Sequence, residues 1–109
     1  MSEEVCKELQ KRFVRCFLDL TVLTMLAREP TWGYKLMAMV KEVHDIRVGP
    51  PVIYPLLDSL EADGLVKCKE SYAGKRRRKV YSATPEGAEM VRCFGEILLE
   101  FSSTTLESY

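Results

Sequence analysis

The first part of the chain has apolar residues spaced as on helix faces. One apolar face predicts an amphipathic helix over about 3–16. Between 17 and 28 the apolar residues leave almost no polar side, so we expect a helix buried all round, which ends before Pro30. The residues of the first face are Val5, Leu9, Phe13 and Cys16.

Two further helices are predicted in the middle of the chain. Thr31 is placed to cap a helix over about 32–44, in which Gly33 permits close packing. The next helix, about 51–63, begins at a pair of prolines. Pro51 suits the first helical position and excludes the residue before it from helical geometry. An inner proline, Pro55, leaves the start of the regular helix open by one turn.

The last part of the chain predicts a hairpin and a final helix. After Gly64, which suits a helix end, two segments alternate apolar and polar residues, and Ala73 and Gly74 separate them. We expect a two-stranded hairpin with a basic tip. Thr84 and Pro85 then provide a cap and a first helical residue for a helix over 85–103. Its apolar seam consists of Val91, Phe94, Leu98 and Phe101.

Charge is distributed unevenly although the formal net charge is zero. The segment 67–79 holds seven basic residues and one acidic residue, and the rest of the chain has a net charge of −6. A protein with one strongly positive end is suited to a polyanionic partner. With 109 residues the chain has room for one domain, which excludes a multi-domain enzyme.

No apolar run reaches the ~18–20 residues of a membrane span, and the charged N-terminus is unlike a signal peptide. We therefore predict a cytoplasmic protein that has no membrane partner.

The four cysteines do not form a CxxC pair, so neither a metal site nor a cofactor is expected. Cys6, Cys16 and Cys93 fall on apolar helix faces and are interpreted as small buried residues. The only histidine, His44, lies at a helix end without a nucleophile signature near it, so we expect no enzymatic activity. A thiol- or metal-responsive DNA binder remains an alternative.

Compact helices followed directly by a basic hairpin are the layout of a winged helix-turn-helix protein. The predicted fold class is therefore mainly α with a small β-hairpin wing (α+β). Residues 1–16 would form an extra helix that contributes to a dimer, 17–84 the winged-helix domain, 85–103 a dimerisation helix and 104–109 a flexible tail.

The predicted function is sequence-specific binding of double-stranded DNA. The start of helix 51–63 would read the major groove, where the positive end of the helix dipole helps, since its C-terminal half carries only acidic charges. The wing, 67–80, would hold the phosphate backbone. The candidate DNA contacts are Lys35, Pro51, Val52, Tyr54, Pro55, Ser59, Lys75, Arg76, Arg77, Arg78 and Lys79.

Three sequence blocks together resemble the PadR-like transcriptional regulators. They are GYKLM at Gly33–Met37, IYPLLDSLEADGLV at Ile53–Val66 and KVYSATPEGAEM at Lys79–Met90. The resemblance implies a dimeric winged-helix repressor that binds a palindromic operator. It also implies dimerisation through the C-terminal helix, which is short here as in the smaller PadR subfamily, with help from the N-terminal helix.

One departure from the family pattern limits what this resemblance implies about DNA specificity. The chain has Gly49–Pro50–Pro51–Val52 where the family tends to have Ser-Pro-Gly-Thr. Two hydroxyls suited to phosphate binding are therefore missing, and the operator sequence of other members cannot be transferred to this chain.

Some members of the family bind flat hydrophobic effectors in an aromatic dimer cavity. The only tryptophan, Trp32, is open to two interpretations, a packing residue or a residue that stacks on such an effector.

A homodimer is also expected from the two apolar seams. Both seams need cover, and a twofold dimer would cover them while setting two recognition helices about one DNA turn, ~34 Å, apart. Two alternatives stay open: the terminal helices could fold back on their own domain, and the winged helix could serve protein–protein contact. The predicted interface consists of Val5, Leu9, Phe13, Val91, Phe94, Leu98 and Phe101.

Overall fold

A computed structural model describes residues 2–106 of the chain, and for residues 73, 105 and 106 only the backbone. The strands of these residues form one antiparallel sheet, in which the last strand in the chain lies between the other two. The predicted fold class, mainly helical with a β-hairpin wing, is confirmed. In chain order the elements are α1 (Glu3–Cys16), α2 (Leu18–Arg28), β1 (Thr31–Trp32), α3 (Gly33–His44), α4 (Pro50–Ala62), β2 (Val66–Ala73), β3 (Arg76–Ala83), α5 (Pro85–Glu100) and a π-helical turn (Phe101–Leu106).

Helix α2 runs through the centre of the hydrophobic core, as its sequence predicts. Its polar residues are accommodated because the hydroxyls of Thr21 and Thr24 donate to backbone carbonyls one turn earlier, at 2.8 and 2.7 Å. Asp19 is the one exposed position between 17 and 26. The core side chains from α2 are Val22, Leu23, Met25 and Leu26, and they pack with Leu36, Val40, Ile53, Leu57 and Tyr81 from other elements.

Helix α1 contacts the core through a different residue than expected. Its N-terminus is capped by Ser2, whose hydroxyl accepts a hydrogen bond from Val5 N–H. Val14, outside the predicted apolar face, is buried, whereas the predicted face is exposed. The interpretation of Cys6 and Cys16 as buried residues is therefore wrong, since both lie on the exposed side.

The segment before α3 is a strand and not a helix cap. Thr31 and Trp32 form β1 and pair with Tyr81 and Val80 of β3, so the expected two-stranded hairpin is a three-stranded sheet. Thr31 is buried, and α3 begins only at Gly33. The cap prediction is wrong because strand pairing across the core outweighs the local capping preference of threonine. Tyr81 lies opposite Thr31 in the core, and burial raises its pKa to about 12.

Helix α4 begins one residue earlier than predicted. Pro50 is itself helical, and the carbonyl of Gly49 accepts hydrogen bonds from Val52 N–H and Ile53 N–H, both at 3.0 Å. Pro55 lies inside the helix, where its missing N–H removes one hydrogen bond near the start. At the other end Gly64 adopts φ +76°, as expected of a glycine that ends a helix.

Helix α5 begins at a junction where hydrogen bonds of Thr84 connect the end of β3, the start of α5 and the end of α4. Thr84 caps it by accepting from Gly87 N–H at 3.1 Å, and the same hydroxyl donates to the carbonyl of Gly64 at 2.7 Å. The helical backbone continues as a π-helical turn to Leu106, beyond the predicted helix end at 103. The rest of the predicted tail, 107–109, lies outside the described residues. Among the helices within 2–106, none has the length and hydrophobicity of a membrane span.

Candidate nucleic-acid interface

The wing places its arginines on both faces of strand β3. Strands β2 and β3 pair from Val66 with Ala83 to Ala73 with Arg76, and Gly74, at φ +67°, and Lys75 form the turn. Side chains alternate along a strand, and Tyr81 faces the core. Arg76 and Arg78 therefore lie on the outer face of the sheet, whereas Arg77 and Lys79 continue the face of Tyr81.

The start of α4 presents an exposed surface next to the wing. Ile53 and Leu57 point into the core and Leu56 packs against it, whereas the other side of the helix is exposed. Val52 is 50% exposed and Tyr54 40% exposed. The other candidate residues of this helix are also exposed, namely Pro51, Pro55 and Ser59.

A glycine at the start of α3 makes room for Tyr54. A Cβ atom on Gly33 would lie 2.7 Å from Cε1 of Tyr54, closer than real contacts allow. The sequence predicted close packing at Gly33 without naming its partner. The contact holds the tyrosine ring of α4 against the beginning of α3, so the position of Tyr54 depends on the absence of a side chain at residue 33.

One groove brings the wing and the start of α4 together. Tyr54 lines this groove together with Trp32, Gly33, Tyr34 and the wing residues Arg76–Lys79. Trp32 is half-buried and its ring faces two cations: Arg78 Cζ lies 4.5 Å and Lys35 Nζ 5.4 Å from the ring centroid. Trp32 thus lies beside the candidate DNA contacts. Tyr34, which is 74% exposed, was missed by the sequence reasoning.

A second groove lies beside the start of α4. Tyr34 lines both grooves, and in the second it is joined by Lys41, Arg47 and Pro50. Lys41 pairs with Asp45, whereas Arg47 is exposed and makes no ion pair within residues 2–106. Arg47 was also missed, because a single arginine in a loop gives no pattern in the sequence.

The cations of the wing differ in whether they form an ion pair with an acidic side chain. Arg77 Nε lies 3.6 Å from Glu70, and Lys35, in the neighbouring helix, lies 3.6 Å from Glu29. Such exposed ion pairs are weak and exchange readily for phosphate. In the described part of the chain Lys75, Arg76 and Lys79 make no ion pair, so their charges are available to an anionic partner.

Comparison with known proteins identifies the family. The family model of the PadR-like transcriptional regulators matches residues 22–92. The chain belongs to the PadR-like family. Members of this family are DNA-binding transcriptional regulators without enzymatic activity, and this function holds for the chain. The family resemblance inferred from the sequence blocks is thereby confirmed.

Two relatives and one solved structure illustrate the extent of the similarity. The transcriptional regulator Rv3488 of Mycobacterium tuberculosis is 36% identical over 77 residues, which cover 71% of each chain. The transcriptional regulator YqjI of Escherichia coli is 32% identical over 85 residues, 73% of this chain and 38% of that protein. A PadR family regulator from Eggerthella lenta has a TM-score of 0.73 at 27% identity, over 98% of this chain and 96% of that chain.

The apolar residues at the two ends of this PadR-like regulator form a connected surface. The rings of Phe13 and Phe17 lie 4.9 Å apart, and those of Phe17 and Phe94 lie 5.3 Å apart. Of the predicted dimer residues, Val91 packs on the core of its own chain. The exposed members are Val5, Leu9, Phe13, Leu98 and Phe101, and Met90, Ile97 and Leu99 are exposed as well.

The cysteines and the histidine of this PadR-like regulator do not converge. Within residues 2–106 no group of three or more His, Cys, Asp or Glu residues could hold a metal ion. Cys68 faces the core opposite Tyr81, and burial raises the pKa of its thiol, which lowers the thiolate fraction that reacts with oxidants. The metal-responsive alternative therefore finds no ligand cluster among the described residues, whereas Cys6 and Cys16 are exposed thiols.

Proposed function

We propose that this PadR-like regulator is a homodimeric repressor of a palindromic operator. Each subunit would insert the start of α4 into the major groove and hold the phosphate backbone with the wing. The observation that supports this arrangement is the groove in which Tyr54 of α4 and the cationic strand β3 lie side by side. A dimer seated on its operator would repress by excluding other proteins from the promoter.

Base reading is assigned to the exposed residues of the first turns of α4. Val52 offers methyl groups for a thymine methyl, and the hydroxyl of Tyr54 can donate to a phosphate. Pro51, Pro55 and Ser59 would complete the contact surface. The acidic residues Asp58, Glu61 and Asp63 follow toward the other end of α4, so only its N-terminal end suits the groove.

Backbone anchoring is assigned to the cations on the two sides of this reading surface. The wing cations, Lys75–Lys79, lie on one side, with Lys35 next to them. Arg47 borders the second groove beside Pro50, and we add it to the proposed phosphate contacts. Phosphate contacts on both sides of the inserted helix would define its register on the duplex.

Dimerisation is assigned to the surface that α1 and α5 leave exposed. Ile97 is 62% and Leu99 73% exposed, as is typical of residues that a partner subunit covers. Since α1 is attached to its own core through Val14, its apolar face stays available. We therefore leave Val91 in the core of its own subunit and place the other six residues in the interface, namely Val5, Leu9, Phe13, Phe94, Leu98 and Phe101.

The first test is fluorescence anisotropy of a labelled duplex. The probe is the DNA upstream of the protein's own gene, compared with a scrambled duplex at two salt concentrations. We expect tighter binding to the upstream duplex, and binding that weakens steeply with salt. Equal binding to both duplexes would contradict autoregulation, and binding to neither would favour a protein-interaction module.

The wing is tested in the same assay by Arg76→Ala. This exposed arginine should account for about one released counterion, so its removal should weaken binding to both duplexes and reduce the salt slope by about 1. Lys7→Ala is the matched control, because Lys7 lies on α1, near the end of α3 opposite the wing. Equal effects of the two variants would contradict the wing assignment.

A further inference from the structure

The contact between Trp32 and Arg78 joins two elements that are far apart in the sequence. Arg78 Cζ lies 4.5 Å from the centroid of the indole ring, well within the ~6 Å range of cation–π attraction. Trp32 is the only tryptophan of the chain. It ends β1 immediately before α3, whereas Arg78 is the third residue of β3.

Strand register explains why these two side chains meet. Trp32 pairs with Val80, and Arg78 lies two residues before Val80 on the same face of the sheet. Such a diagonal neighbour is within reach of an aromatic ring. Arg78 is accordingly half-buried, whereas its neighbours Arg77 and Lys79 are exposed.

The indole ring of Trp32 restricts the motion of the Arg78 side chain and leaves its hydrogen-bond donors available. A guanidinium lying over an indole ring keeps its N–H groups at the edge, where they can bind phosphate. An arginine that is already ordered loses less side-chain entropy on binding than a freely moving one. Arg76, on the same face but closer to the turn, has no such partner among the described residues.

The position of the ring links the wing to α4. Trp32 precedes Gly33, against which the ring of Tyr54 packs, and all three residues line one groove together with Arg78. Lys35 Nζ approaches the same ring at 5.4 Å and lies 3.6 Å from Glu29.

We propose that Trp32 is a positioning residue that holds the guanidinium of Arg78 at a set distance from the start of α4 for contact with DNA phosphate. This inference rests on the proposed function, since it assigns Arg78 a phosphate contact. Trp32 itself acts through Arg78 and serves neither as a base-reading residue nor as an effector-stacking residue.

A double-mutant cycle measured by duplex anisotropy tests the proposal. Arg78→Ala and Trp32→Leu are each expected to weaken binding, the latter about two- to fivefold, as expected for loss of one cation–π contact. The double variant should bind no more weakly than Arg78→Ala alone. Trp32→Leu with Arg76→Ala is the matched control, in which the two effects should multiply.

Two further measurements separate positioning from simple stability. Trp32→Phe keeps an aromatic ring and should restore part of the affinity that Trp32→Leu loses, and it serves as the test variant if Trp32→Leu does not fold. Because Trp32 is the only tryptophan of the chain, tryptophan emission reports on the surroundings of this one ring, where Arg78 lies closer than Lys35. Arg78→Ala should change the emission of the free protein, whereas Arg76→Ala should not.

The outcomes distinguish this inference from the function on which it rests. If the unaltered protein binds DNA but the effects of Trp32→Leu and Arg78→Ala on affinity multiply in the double variant, the positioning role is wrong and the proposed function stands. If the unaltered protein binds no duplex, the proposed function is wrong, and the role of Trp32 in DNA contact is wrong with it.

Discussion

Two glycines mark places where helices approach other elements closely, and their surroundings differ. Gly87, near the start of α5, faces a backbone atom: a Cβ there would lie 2.1 Å from the carbonyl oxygen of Leu65. Gly33, at the start of α3, faces the exposed ring of Tyr54. The first contact lies inside the fold, and the second lies at the candidate DNA surface.

The carbonyl group of Leu65, which faces Gly87, is held in place by backbone hydrogen bonds around it. The carbonyl of Leu65 accepts a hydrogen bond from Thr84 N–H at 3.0 Å, and Leu65 N–H donates to Leu60 at 2.9 Å in the turn that ends α4. The ring of Tyr54 is 40% exposed and can rotate outward. The same sequence feature therefore supports stability at one site and the placement of a functional side chain at the other.

The largest effect is expected for Gly87→Ala. The added methyl group would force the start of α5 away from Leu65, and we expect a loss of about 3 kcal/mol or more in the free energy of unfolding. Urea denaturation followed by circular dichroism measures this. Gly95→Ala is the matched control on the same helix, because a Cβ there meets no atom of the described residues within 4 Å. This variant should stabilise the protein by up to ~1 kcal/mol. Similar results for both variants would contradict this account of Gly87.

A smaller loss is expected for Thr84→Ala at the same junction. The variant removes the cap of α5 and leaves the carbonyl of Gly64 without the hydroxyl donor it has now. We expect the free energy of unfolding to fall by ~1–2 kcal/mol in the same denaturation experiment. Thr84→Ser keeps the hydroxyl and should retain most of the stability. If serine were as destabilising as alanine, the two hydrogen bonds would not be the cause.

The smallest effect on stability is expected for Gly33→Ala, which should change DNA binding instead. Displacement of Tyr54 should cost less than about 1 kcal/mol of stability, since alanine also favours the helix. Binding to the specific duplex should weaken several-fold in the anisotropy assay. In a Tyr54→Ala background the same change should have no further effect on binding. An additional loss there would show that Gly33 acts through another residue.

The local signals in the sequence predicted the start of α5 and the end of α4 correctly. Thr84, Pro85 and Gly64 act on atoms within a few residues of themselves, so their effect can be inferred without the fold. The local capping signal of Thr31 predicted the wrong role, because the role of Thr31 is decided by pairing with Tyr81, fifty residues later. A two-residue strand is too short to give a periodic pattern.

The candidate site was predicted in parts and not as a whole. The charge of the wing and the exposed start of α4 follow from composition and spacing. The sequence leaves the role of Trp32 open between packing and effector stacking, because the register that brings Arg78 to its ring cannot be inferred from either segment alone. The burial of Val14 was likewise unforeseen, since the stronger apolar face of α1 points away from its own core.

By itself, the amino-acid sequence determined the order of the helices and of the two hairpin strands, most of their ends, the charge of the wing and the resemblance to a family of regulators. These features depend on neighbouring residues and on composition, which the chain carries before it folds. Only the tertiary structure decided which residues meet: Gly33 with Tyr54, Trp32 with Arg78 and Gly87 with Leu65. Such contacts depend on strand register and on how distant elements cross, and both are set by packing of the common core.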